Sequence, residues 1–158
     1  MIVVKTVARK LSTLIALSVI AVVMSIGSLA IPAQAAGCSG HSCSGKDANT
    51  MGCANDAITT QSKNTSIGSL QVRWSPSCKT NWTRLVIYPT GNACVFPGAL
   101  KAVQQNTNYT QKSSTRLVCG TYSSTSFWTP MIYSPVLKVK GTFQSDGAFT
   151  PVVETGWS

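Results

Sequence analysis

Between residues 68 and 75 the chain alternates, with Leu70, Val72 and Trp74 interleaved with Gln71, Arg73 and Ser75. That is the period of a strand with two unlike faces. Pro76 ends the run, and residues 82–88 (WTRLVIY) predict the next strand from their aromatic and β-branched content. The turn chemistry of residues 89–92 (PTGN) then predicts a hairpin into residues 93–96. Residues 100–103 and the neighbourhood of Tyr109 carry weaker strand patterns, and residues 115–119 (TRLVC) a clearer one. Further short strands are predicted over 126–128, 131–133 and 136–143, broken by Pro130, Pro135 and Gly141, and a last one over 149–154 after the turn at 145–147. In the 136–143 run Lys138 and Lys140 fall on one face and Leu137 and Val139 on the other.

Residues 37–66 show neither period for long and are rich in Gly, Ser, Asn and Thr. They predict a loop, with one short turn of helix around 54–59. Short strands separated by turns, with no long amphipathic helix, give an all-β or β-rich fold. The expectation is a small disulfide-stapled β-barrel or sandwich preceded by a cysteine-rich loop segment.

The N-terminus changes the picture from fold to compartment. Lys5, Arg9 and Lys10 precede an apolar run at 14–24 (LIALSVIAVVM), and Ala33-Gln34-Ala35 supplies small residues for cleavage. This is the pattern of a secretory signal peptide over 1–35, leaving a single domain over 36–158 with no membrane span. Ala36-Gly37-Cys38 also matches the end of a lipobox, so a lipid anchor at Cys38 is the alternative, although it would leave an odd number of cysteines.

All six cysteines, Cys38, Cys43, Cys53, Cys78, Cys94 and Cys119, lie downstream of that site, and an even number in an exported chain implies disulfides. Six cysteines allow 15 connectivities. The expected grouping pairs the first four among themselves and Cys94 with Cys119.

Of 13 basic residues, removal of Lys5, Arg9 and Lys10 leaves 10 against four acids, a net charge of +6. With so few carboxylates, little acid–base chemistry is available. A pair of carboxyls facing across a sugar would have to come from Asp47, Asp56, Asp146 and Glu154. Asp146 lies in a turn, and Asp47 and Asp56 read as turn and capping residues. His41 is the sole histidine, and no Gly-x-Ser-x-Gly elbow accompanies it. Gly45-Lys46 lacks the first glycine, the strand and the following hydroxyl of a phosphate-binding loop. A Cys3His zinc set of Cys38, His41, Cys43 and Cys53 is crowded by its spacing, and disulfides are the preferred reading. The Asn64, Asn81 and Asn108 sequons are the sort that arise by chance in such a composition. No cofactor is expected.

The cluster with most chemistry is Arg73, Trp74, Lys79, Trp82 and Arg84. On one strand Trp82 and Arg84 share a face, so an aromatic plate and a guanidinium could hold a sugar or an anionic polymer. Alternatively Trp82 is core against a disulfide, with the stem of Arg84 laid over its edge. Arg73, Trp82 and Arg84 are the candidate ligand-binding residues. Lys138 and Lys140 read as a solvated strand face.

Cys38, Gly40, Cys43, Gly45, Lys46, Asp47, Gly52, Cys53, Asp56 and Ala57 form a first signature. Arg73, Ser75, Pro76, Cys78, Trp82 and Arg84 form a second, and Thr129-Pro130-Met131 a third. In these the chain resembles an uncharacterised bacterial secreted family, domain of unknown function 2690. The resemblance implies secretion and a disulfide-held, β-rich fold. Ala48, Gln71 and Trp74 stand where the family usually has Pro, an acidic residue and Tyr, and Cys94 and Cys119 look like additions. The functional expectation is a non-enzymatic binding or structural module, secreted or wall-associated. It would be retained by charge on an anionic cell-wall polymer or held by an extracellular protein, and nucleic acid is not an expected partner. The alternative is a secreted hydrolase or hydrolase inhibitor.

Overall fold

The computed structural model describes residues 35–147 and 152–158. The expected signal peptide, save Ala35, and residues 149–151 of the last expected strand lie outside them. The described residues form two sheets packed face to face, with a cysteine-rich cap on the outer face of one of them. The β-rich, disulfide-held expectation holds, in sandwich form and without a closed barrel.

The first sheet is built on β2 (Gly68–Ser75) and β3 (Thr80–Ile87), a hairpin in which every residue from Gly68 to Ser75 has a partner. Its loop, residues 76–79, closes with Lys79 in the left-handed region (φ 56) and its amide donating to Ser75 O. β1 (Ile58–Asn64) pairs with β2, while β8 (Thr125–Trp128) and β9 (Ile132–Tyr133) pair with β3. The second sheet runs β11 (Val153–Glu154), β10 (Val139–Ser145), β5 (Gly98–Gln104) and β6 (Thr110–Ser114). A two-stranded ribbon, β4 (Cys94–Val95) with β7 (Val118–Cys119), closes one end.

The alternation in the sequence becomes the layering of the fold. Leu70 pairs with Leu85 and Val72 with Thr83 on the inner face. There they meet Leu100, Ala102, Val139 and Phe143 of the second sheet, all essentially out of water. The two backbones come closest at Gly141, where a Cβ would lie 2.8 Å from Thr83 Cγ2. Thr83 Oγ1 donates across the gap to Lys101 O at 2.9 Å. The other face of the first sheet carries Gln71, Arg73, Ser75, Trp82 and Arg84, and the cap covers much of it. A second core forms there from Cys38, Cys43, Cys53, Cys78, Ala48, Trp82 and Met131. Backbone bonds from Gly40 N to Cys78 O, Gly45 N to Met131 O and Met131 N to Lys46 O stitch the cap down.

Three expectations are corrected. The helical turn lies at Gly40–Cys43 as a 3-10 helix, not at 54–59, where the chain turns and enters β1 at Ile58. Residues 93–96 do not form a hairpin with β3. Both edges of β3 are already taken, by β2 and by β8, so β4 turns away to pair with β7. The strand expected over 115–119 is confined to Val118–Cys119, since the Thr115 amide bonds Gly98 O instead.

Candidate functional site

Three disulfides, Cys38–Cys43, Cys53–Cys78 and Cys94–Cys119, account for every cysteine. The pairing matches the expected grouping, and Cys94 and Cys119 are direct strand partners. A lipid on Cys38 and this first disulfide are mutually exclusive. His41 does not approach the sulfur cluster as a ligand. It is exposed, and its ring tilts against Tyr133 at 4.7 Å, beside a cleft of about 310 Å³ that Tyr109 and Gln104 also line.

The hairpin register brings the arginines together. Arg73 lies directly opposite Trp82, and Gln71 opposite Arg84, whose other neighbour is Trp128 of β8. Both guanidiniums are oriented by neutral acceptors. Arg84 donates from Nε and Nη2 to Gln71 Oε1 at 3.0 and 2.7 Å. Arg73 donates from Nη1 to Thr59 Oγ1 at 2.6 Å and from Nη2 to Ala57 O at 2.5 Å. Partial burial, and then the positive charge of Arg84, depress the pKa of Arg73, although a guanidinium stays protonated at any ordinary pH. Between the two lies a cleft of about 100 Å³, also lined by Asn49, Ala54, Trp82, Ser126 and Trp128.

Trp82 lines the same cleft but offers it little surface. Only 3% of it is exposed, because the cap closes over its ring and packs it with the four cysteines. The more exposed aromatic of the cleft is Trp128, held by its Nε1–H donating to Asp47 Oδ2 at 2.5 Å. Sequence reasoning missed Trp128. Its strand was legible, but the antiparallel register that sets it beside Arg84 was not. Trp74 is on the opposite face, and Lys79 is in the loop.

The acidic residues do not offset this charge. Asp47 accepts from Thr50 N and from Trp128, and Asp56 accepts from Ser75 Oγ at 2.6 Å and Ser77 N at 2.8 Å. For each, burial alone would raise the pKa, and these hydrogen bonds together outweigh it and hold the carboxyl below its usual range. The one salt bridge among the described residues is Lys140 to Glu154 at 2.9 Å. On the outer face of the second sheet Lys101 is paired directly with Lys112, a like-charge pair that costs stability in an antiparallel ladder.

Fold and site define the class: a small, disulfide-stapled β-sandwich with a cysteine-rich cap and two arginines beside one cleft. Over residues 41–142 the sequence matches the family described as protein of unknown function (DUF2690), and the chain belongs to that family. No curated protein and no solved structure matches it.

Proposed function

We propose that the chain is a secreted, non-catalytic binding or structural module of the bacterial cell surface, retained on anionic envelope polymers by its basic charge. The observation that carries this reading is the pair Arg73 and Arg84, two guanidiniums beside one cleft, each held by neutral acceptors and neither neutralised by a carboxylate. A fixed guanidinium fork suits a carboxylate or phosphate oxygen pair. The unpaired lysines, Lys101 and Lys112 among them, add a diffuse field that attracts the same polymer and fades with salt.

The absence of catalysis is part of the proposal. Asp47 and Asp56 are occupied in holding the cap, and among the described residues no carboxylate hydrogen-bonds His41. Export rests on the signal-peptide pattern, and no helix among the described residues is long and apolar enough to cross a membrane.

The test is co-sedimentation of the purified protein with isolated bacterial cell walls at low and high salt, alongside Arg73→Gln/Arg84→Gln. The wild type should pellet with the walls at low salt and be released by high salt, and the double variant should stay in solution at both. Wall binding that the variant retains in full would remove the site from the proposal, and no binding by the wild type would remove the proposal.

A further inference from the structure

Four cysteines from three stretches of chain converge on one point. Cys38 precedes the 3-10 turn and Cys43 ends it, Cys53 follows in the cap, and Cys78 lies in the loop between β2 and β3. Their sulfur atoms all lie within 4.8 Å of one another, and Cys38 Sγ is 3.9 Å from Cys53 Sγ across the two cross-links. Two disulfides need no such proximity, since each could staple the cap at a separate place. A tetrahedral metal centre does need it. Metal–sulfur bonds of about 2.3 Å place the ligand sulfurs about 3.8 Å apart.

The surroundings fit a closed metal centre. Cys43, Cys53 and Cys78 are fully buried and Cys38 nearly so, with Ala48, Trp82 and Met131 packed around them. The four-residue gap between Cys38 and Cys43 falls within the usual spacing of a cysteine ligand pair. Cys78 supplies the fourth ligand in place of His41, which turns toward Tyr133.

We propose that the reduced domain binds one zinc-type divalent ion on Cys38, Cys43, Cys53 and Cys78. When oxidised, Cys38–Cys43 closes a loop within the cap and Cys53–Cys78 ties the cap to the β2–β3 loop; when reduced, one metal ion on the same four sulfurs ties it there. The reductant is a small dithiol. Two equivalents each lose two electrons and two protons and close to cyclic disulfides, while the two S–S bonds of the protein open to four thiols. Metal binding then releases four protons as the thiols become thiolate ligands.

The experiment is titration of the reduced protein with cobalt(II) alone, in a Cys94→Ser/Cys119→Ser variant so that only these four thiols remain. One cobalt per chain should give the absorption of a tetrahedral thiolate centre, be displaced by one zinc, and restore the near-ultraviolet circular dichroism that reports the packed Trp82. Adding Cys78→Ser should weaken cobalt binding at least tenfold and lose the four-sulfur spectrum. The unmodified reduced chain should give the same spectrum and stoichiometry, which guards against a folding defect in the variant. The oxidised chain should bind no cobalt at the cluster. Cobalt bound without recovery of the native tryptophan signal would overturn the proposal, because unfolded cysteine chains also bind metal weakly. Unchanged binding after Cys78→Ser would overturn it as well.

Discussion

Replacing Gln71 with Glu places a carboxylate where Arg84 now meets a neutral amide. The two bonds it receives, from Nε at 3.0 Å and Nη2 at 2.7 Å, should survive in an isosteric side chain and become charge-assisted. Because Arg84 is only half-buried, the net gain in stability should be about 0.5–1 kcal/mol. In a domain of this size that raises Tm by roughly 1–5 °C. Binding should move the other way. An anion in the cleft about 6 Å from the new carboxylate is repelled by about 3 kcal/mol at an effective dielectric of roughly 20. Salt at physiological strength cuts this to about half, so affinity for walls should fall by about tenfold. The control is Ser124→Glu, the same change of charge in an exposed loop after β7. Thermal melts and wall co-sedimentation on the two variants and the wild type give all the numbers needed. Equal weakening by Gln71→Glu and Ser124→Glu would show that only overall charge matters and refute the assignment of a site to Arg73 and Arg84.

Acid should loosen the cap. Asp47 and Asp56 have carboxyls held below their usual range, so their contribution is fully present above the unfolded value of about 4 and is lost as pH falls through the folded values. Denaturant midpoints measured from pH 6 down to pH 2 should drop below pH 4, and Asp47→Asn should show a shallower drop. Removing Cys94–Cys119 with two serines should cost about 3.5 kcal/mol by the chain-entropy relation for a separation of 25 residues. Urea unfolding checks this, with wall binding expected to persist because the arginines lie elsewhere. Gly141→Ala should cost about 1–3 kcal/mol by overpacking, since its Cβ would meet Thr83 Cγ2 at 2.8 Å in the gap between the sheets, and Tm reads it directly.

What was legible in the chain is what one strand can show by itself. Leu70, Val72 and Trp74 declared the inner face of β2, and residues 82–88 declared β3, because burial repeats every second residue. β1 (ITTQSKN) and β6 (TQKSS) were hidden, since edge strands with no fully buried residue leave no apolar period to read. The site was half legible. Arg73, Trp82 and Arg84 do share a face, but their sequence does not say that a cap comes down on that face and buries Trp82 while sparing the arginines. That cap is fixed by contacts of long sequence separation, such as Asp47 with Trp128, 81 residues apart. The failed hairpin at 93–96 has the same origin, because the vacancy it needed beside β3 had been filled by a strand more than 30 residues later.

The measurement that bears most directly on the central claim compares two surfaces rather than two proteins. Walls stripped of their anionic polymers and intact walls from the same cells would be incubated with the unmodified protein at low salt and pelleted. Retention on intact walls and its loss on stripped walls is the expected result, because uncompensated cations at Arg73, Arg84, Lys101 and Lys112 have no other partner there. Equal retention on both would contradict it and place the binding determinant in the neutral wall.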